Sequence, residues 1–478
     1  MVTERRHETR FRVSSCSPAT RSLFRETAKK SIVFPFERER FGPAKRYDYM
    51  IRSRSYFMER RPDLILANVQ LPEGRRADIT IHDGRVIHAG ASTAAERRID
   101  CTGFFILPAA VDMHVHMRGG IQSAKEDWES GSKSAIAGGV TVVVDQPNTI
   151  PPLTTPETFA ARVKEAREHS SCSFAINSGV TPGTPIEAMW EAGTMAFGEI
   201  FFAPSSYGEA LGKAEFSHAL ERIQALGGLA TVHAEGIGSG KDTGLAAHDT
   251  LRSPEREQEA VIAVQSANRK GCRLHFCHLS AAESVDAAQG SVEVTPHHLF
   301  LSREMTGDAD CRFKVNPPVR SERERTGLWE RWNRIDVIAS DHAPHTNEEK
   351  TLPFPDAPSG IPGVETMVPL LMAKVLEKQI SLSDVIQKTS SAPAALIGIP
   401  PSGFAPGSRA DFALYPRSVT RVNPDLLHSR CGWSPFEGFH AIFPRTVILG
   451  GSMAYHDGEF FRSTPVWYPG KGLSLHPH

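Results

Sequence analysis

The sequence lacks the marks of several common protein classes. Its seven cysteines (Cys16, Cys101, Cys172, Cys272, Cys277, Cys311, Cys431) are scattered over 478 residues and form no CxxC pair. That pattern gives no disulfide framework or zinc ribbon, and a reducing, cytoplasmic compartment is the expected setting. No apolar run approaches the roughly 20 residues needed to span a bilayer, so no membrane association is expected. The formal net charge is only −1, so the overall balance points to no strongly charged partner. Basic and aromatic residues do not interleave in an ordered patch, which argues against nucleic-acid binding by the main body. Gly236-Ile-Gly-Ser-Gly-Lys-Asp242 superficially suggests a phosphate loop. Its glycine spacing fails, however, and Asp242 stands where Ser or Thr is required, so it reads as a loop after a strand.

The length suits a large catalytic domain with a smaller companion. Residues 1–57 are rich in Arg and Ser, more basic than acidic and without sustained periodicity. They read as a disordered arm: an address, a nucleic-acid-binding tail or, as the favoured reading, an over-extended start ahead of Met58. Short strands follow at Leu64–Val69, Ala77–His82 and Arg85–Ala89, with Asp83-Gly84 as a hairpin turn. Strand composition returns at 406–415 and 444–451. The two groups predict one small β-sandwich domain built from residues 58–106 and 403–465, with residues 466–478 as a tail.

Between about 107 and 402, apolar strands alternate with helix-length segments such as Glu157–Glu168, Ala210–Leu226 and Glu255–Arg269. About eight such units fit, so the expected fold is α/β, a (β/α)8 barrel of the TIM type. The run Phe104–Leu107 and Val111 reads as one buried strand that presents His114 and His116 near its C-terminal end. Residues at i and i+2 of a strand share a face, so the two imidazoles can converge on one metal ion. Taken alone, His-x-His is equally compatible with an ordinary strand. In a barrel, however, polar residues at strand C-terminal ends line the active site. That rule selects His114 and His116 on the first strand, Glu199 near the fourth, His233 on the fifth, His278 on the sixth and Asp341 on the eighth. Imidazole and carboxylate donors in this number suit zinc, and suit two ions sharing a bridge. His82 and His275 read instead as structural histidines. His297 and His298, read as neighbours on a strand, would point opposite ways and are left outside the metal set. Arg118 continues the His-x-His spacing and places a cation able to grip a carboxylate beside the metal.

Nine short segments, in order, carry a resemblance. They are Asp112-Met-His-Val-His-Met-Arg, Ala137-Gly-Gly-Val-Thr, Gln146-Pro-Asn-Thr, Val232-His-Ala-Glu, Cys277-His-Leu-Ser, Glu293-Val-Thr-Pro-His-His-Leu, Lys314-Val-Asn-Pro-Pro-Val-Arg, Ser340-Asp-His-Ala-Pro-His-Thr and Gly360-Ile-Pro-Gly-Val-Glu-Thr. Together they resemble the amidohydrolase superfamily and, within it, the dihydroorotases. The resemblance implies that His114, His116 and Asp341 hold one zinc ion and that His233 and His278 hold a second. The family's usual bridge is a carbamylated lysine, and Glu199 stands at that place here, as a shorter carboxylate bridge. The implied reaction is the reversible cyclisation of N-carbamoyl-L-aspartate to L-dihydroorotate in pyrimidine biosynthesis. An activated water would attack the ring amide while Asp341 shuttles the proton. Arg118 with Asn148 and His345 would bind the substrate carboxylate, and Asn316 with the backbone at Pro362 and Gly363 would hold the ring amide edge. Homo-oligomerisation or association with a carbamoyltransferase are further expectations. Two alternatives stand beside this reading: a hydantoinase- or allantoinase-like cyclic amidase, against which Arg118 argues, and a catalytically silent scaffold, against which the complete ligand set argues.

Overall fold

The computed structural model describes residues 61–71, 74–91, 94–201 and 211–473. The arm at 1–57, the start at Met58, the segment just after Phe201 and the last five residues of the tail lie outside the described residues. The first strands are β1 (Leu64–Gln70), β2 (Arg76–His82), β3 (Arg85–Gly90), β4 (Arg97–Asp100) and β5 (Phe104–Pro108). Next come β6 (Ala110–Val115), β7 (Val140–Asp145), β8 (Ser173–Ile176), β9 (Phe197–Phe201), β10 (Leu229–His233), β11 (Arg273–Phe276), β12 (Ser291–Val294) and β13 (Val337–Ile338). The chain closes with β14 (Phe412–Pro416), β15 (Thr420–Arg421), β16 (His440–Ala441), β17 (Thr446–Leu449), β18 (Ser452–His456) and β19 (Glu459–Phe460).

Both ends of the chain build the smaller part. One sheet runs β3-β2-β1-β4 and another β19-β18-β17-β14-β5. Leu66, Ile79, Ile81 and Val86 from the first sheet share a core with Ile106, Phe412, Leu414 and Ile448 from the second. The β2–β3 hairpin turns at Asp83-Gly84, where φ is 46° and 70°. Positive φ at both positions matches the right-handed twist of the flanking strands.

The expected single strand from Phe104 to Val111 is two strands. β5 pairs antiparallel with β14, whereas β6 pairs parallel with β7. The chain changes sheets at Ala109, whose N–H donates to the Asp411 carbonyl. An unbroken apolar run does not reveal such a crossing, because both halves are buried.

β6 to β13 are parallel and form two sheets, β6-β7-β8 and β9 through β13. Parallel bridges from Ser178 to Phe197 and from Val115 to His342 link them. The arrangement is a TIM-barrel-like α/β fold. β7 is buried at every residue, as expected of a strand covered on both faces. Helices return the chain between strands and carry the stop and start signals of the sequence. Thr155 caps Pro156–His169 through Thr158, and Asp127 caps Trp128–Gly138 through Ser130. The latter helix ends at Gly139 with φ 89°, where an added Cβ would lie 2.0 Å from the Tyr415 hydroxyl. Only glycine accepts both that backbone and that contact. Beyond the small β part, the segment at Val466–Tyr468 lies along β8, with the Phe174 N–H donating to the Val466 carbonyl and the Tyr468 N–H to that of Phe174.

Candidate metal centre and its cavity

The C-terminal ends of the parallel strands bring the expected ligands into one buried cluster. His114 Nε2 lies 3.5 Å from Asp341 Oδ1, and His116 Nε2 lies 3.1 Å from the same oxygen. Donors sharing a tetrahedral zinc ion at about 2.0–2.1 Å sit roughly 3.3 Å apart, so these three suit a single ion. A second group faces them. His233 Nδ1 and His278 Nε2 each lie 2.7 Å from Glu199 Oε1 and 3.1 Å from one another. The other oxygen of Glu199, Oε2, is 3.7 Å from His114 Nε2. One carboxylate oxygen thus faces each histidine set, which is the geometry a bridging ligand requires.

A surrounding ring of carboxylates sets which nitrogen each imidazole presents. His114 Nδ1 lies 3.0 Å from Glu293 Oε1, which leaves Nε2 for the centre. Glu293 Oε1 also accepts the His278 backbone N–H at 3.0 Å, and its Oε2 lies 2.9 Å from His275 Nε2. His233 Nε2 lies 3.1 Å from Glu235 Oε2, so its Nδ1 faces Glu199. Such carboxylate partners fix tautomer and raise ligand basicity. Asp112 Oδ1 accepts the N–H groups of His114 and Ser340, tying the first strand's end to the eighth's.

The donors fit a divalent metal. His114 Nε2, the nitrogen turned toward Asp341 and Glu199, is a buried polar atom without a hydrogen-bond partner. Such atoms are costly unless something else satisfies them. Burial opposes charge on His114, but Glu293 and Asp341 outweigh it and hold this imidazole well above its ordinary range. Burial likewise opposes charge on His233, yet Glu199 and Glu235 raise it to about 9. For Glu199, burial is outweighed by His114, His233 and His278, which hold the carboxyl well below the usual range. The cluster therefore draws positive charge to the points where ions would sit. Three non-glycine residues here have left-handed backbone: Arg118 (φ 47°), His278 (φ 33°) and Asp341 (φ 45°). Conformations of that kind concentrate at functional sites, where the surroundings hold them in place. For Arg118 the hold is visible, since Arg162 donates to its carbonyl while pairing with Asp145 at 2.8 Å.

A cavity of about 430 Å³ opens on this cluster. Arg118, Asn148, Asn316 and His345 all line it, as the sequence suggests. Pro362 and Gly363 do not. They line a separate small recess with Ser134, His342 and Trp433. Pairing accounts for the difference: the Ala343 N–H donates to the Ile361 carbonyl and the Gly363 N–H to His342 Nδ1, which draws this segment behind Asp341. Ser359 and Gly360 face the cavity instead. Gly360 has φ 146°, and an added Cβ would lie 2.4 Å from the Ala343 carbonyl oxygen. His297 and His298 begin a short helix, Pro296–Phe300, rather than lying on a strand. His275 is satisfied by Ser291 and Glu293, and His82 faces Asp63, in keeping with structural roles.

Sequence reasoning passed over Glu293, Glu235, Lys125 and Arg252. Glu235 stands two residues after His233, the same spacing that marked His114 and His116. Arg252 Nε lies 3.3 Å from Glu235 Oε1 and donates to Asn316 Oδ1 at 3.1 Å, linking the histidine–carboxylate cluster to the cavity wall. No local spacing signals Lys125 or Arg252, which reach the cavity from loops.

Residues 105–427 match the amidohydrolase family. The dihydroorotase of Methanosarcina acetivorans is 37% identical over 451 residues, covering 87% of this chain and 95% of that protein. The chain belongs to the amidohydrolase family, in its dihydroorotase branch. The dihydroorotase of Halobacterium salinarum is likewise 37% identical, over 409 residues covering 83% of this chain and 97% of that one. Among solved structures, L-hydantoinase (dihydropyrimidinase) from Arthrobacter aurescens superposes with a TM-score of 0.77 at 28% identity, covering 84% of this chain and 97% of that chain. D-hydantoinase from Thermus sp. gives 0.76 at 24% identity, covering 86% and 100%, a likeness of fold alone. Amidohydrolase membership suits the histidine and carboxylate groups at the strand ends, since this is a metal-dependent family.

Proposed function

We propose that this chain is a dihydroorotase that interconverts N-carbamoyl-L-aspartate and L-dihydroorotate, a step of pyrimidine biosynthesis. The observation that carries the substrate choice is Arg118, a buried guanidinium on the cavity wall two residues beyond a ligand. A carboxylate is the natural partner for such a group. Hydantoin-type substrates offer none, so the cyclic-amidase alternative leaves Arg118 without a role. We also infer that β6 to β13 form a closed (β/α)8 barrel and that the two outer sheets pack as a β-sandwich.

Two zinc ions are the proposed cofactor, His114, His116 and Asp341 holding one, His233 and His278 the other, and Glu199 joining them. Bound there, the ions supply an activated water and a polarised amide carbonyl. The remaining work falls to the chain's own groups. Burial would raise the Asp341 carboxyl, but His114, His116 and His278 hold it down to about 2, so it is ionised at neutral pH. It accepts a proton at Oδ1 or Oδ2 and returns it to the ring nitrogen that departs, and cyclisation runs the same transfers backwards. Arg118 and His345 orient the substrate carboxylate, Asn148 assists them, and Asn316 with the Ser359-Gly360 backbone replaces Pro362-Gly363 at the amide edge. These contacts hold the reacting amide over the cluster and use binding energy for orientation.

The test is metal analysis of the purified protein together with a carbamoyl-aspartate cyclisation assay, using hydantoin and allantoin as comparison substrates. The expected result is about two zinc ions per chain and turnover of carbamoyl-aspartate alone. Preferential turnover of an uncharged ring would overturn the substrate assignment. Asp341→Asn should retain metal and lose turnover, and substantial remaining activity would reject Asp341 as the proton carrier.

A further inference from the structure

His345 stands between two cations, and its contacts decide where its proton lies. Its Nδ1 is 3.2 Å from Lys125 Nζ and 3.3 Å from Glu349 Oε2. Its Nε2 is 3.0 Å from the Ser359 carbonyl oxygen and 3.3 Å from Arg118 Nη2. Lys125 Nζ is itself 2.8 Å from Glu349 Oε1. Burial, with Arg118 and Lys125 close by, outweighs Glu349 and pushes the imidazole down to about 3, so the ring is neutral at ordinary pH.

A neutral imidazole has one N–H and one lone pair. With the proton on Nε2, both of the shorter contacts are hydrogen bonds: Nε2–H donates to Ser359, and the Lys125 ammonium donates to Nδ1. With the proton on Nδ1, an N–H faces the ammonium and a lone pair faces a carbonyl oxygen at 3.0 Å. That arrangement gains only the two 3.3 Å contacts. It also spends Arg118 Nη2 as a donor to the imidazole.

We propose that Lys125 is a positioning residue that holds the His345 proton on Nε2, where it stays bonded to the Ser359 carbonyl, and so keeps the outer N–H groups of Arg118 free for the substrate carboxylate. The proposal rests on the dihydroorotase reading. Under it, the carboxylate meets an Arg118 guanidinium whose Nη2 is not spent on the imidazole. Glu349 then serves to hold the ammonium in place and is not the hydrogen-bond partner of the ring.

The experiment compares zinc-loaded full-length wild type with Lys125→Met, Lys125→Arg and Glu349→Gln. Steady-state kinetics are measured in both directions, and the His345 ring is followed by nitrogen NMR of protein labelled in histidine. The resonance is assigned by its loss in His345→Asn. Lys125→Met should raise KM for both substrates about tenfold, the scale of one charge-assisted hydrogen bond, with kcat changed less than about twofold. Lys125→Arg should recover most of that loss. Glu349→Gln should leave KM within about threefold, because Nδ1 still receives a donor. Nitrogen shifts should report the Nε2–H form in the wild type. A wild-type ring protonated on Nδ1, or a Glu349→Gln defect equal to that of Lys125→Met, would overturn the proposal. If the wild type turns over neither substrate, the dihydroorotase reading fails, while the nitrogen shifts still decide the tautomer.

Discussion

Glutamine at position 293 would remove one charge from beneath the histidine–carboxylate cluster and almost no volume. Glu293 accepts three hydrogen bonds, from His114 Nδ1 at 3.0 Å, the His278 backbone at 3.0 Å and His275 Nε2 at 2.9 Å. The amide keeps one oxygen, which can still serve His114 and His278. Its NH2 group then turns toward His275, whose ring can shift its proton to Nδ1 and donate to Ser291 Oγ, 2.9 Å away. The fold should therefore survive, and the loss should fall on His114, whose Nε2 becomes a poorer donor without a carboxylate behind the ring. Changes of this kind weaken metal binding by about 10- to 100-fold, or about 1.4 to 2.7 kcal/mol. Competition with a chromophoric zinc chelator, alongside thermal unfolding of the metal-free protein, reads the two effects separately. A zinc affinity within about twofold of wild type would refute the argument that Glu293 tunes His114. A collapse of the metal-free protein would show Glu293 to be chiefly structural.

Glu199→Ala should bind fewer ions than wild type, read by elemental analysis, and two tightly held ions in that variant would exclude Glu199 as the bridge. Arg118→Met should raise KM for carbamoyl-aspartate by about 10- to 100-fold, the scale of a lost charge-assisted pair, and an unchanged KM would remove the carboxylate argument. In the small β part, Phe412 is fully buried between the sheets. Phe412→Ala should cost about 3–5 kcal/mol of stability in denaturant unfolding, and a loss below about 1 kcal/mol would mean that this core does not hold the sheets together.

The grouping of residues at the centre was legible because it follows the chain's own periodicities. Alternating strand and helix lengths place strand C-terminal ends on one rim, so His114, His116, Glu199, His233, His278 and Asp341 could be read in order as convergent groups. The hairpin at Asp83-Gly84 was equally local, set by a few neighbouring residues. The finer contacts between distant segments were not. The change of sheet at Ala109 depends on Asp411, and the retreat of Pro362 and Gly363 from the cavity depends on hydrogen bonds to His342 and Ala343. Glu293 and Lys125 reveal their partners, His114 and His345, only when loops close across 179 and 220 residues. The sequence by itself determined which donor types stand at which strand ends, because side-chain alternation and strand order are local properties. Only the tertiary structure decided how the two oxygens of Glu199 divide between the histidine sets and which loop residues wall the cavity, because a side chain's direction is settled by what packs against it.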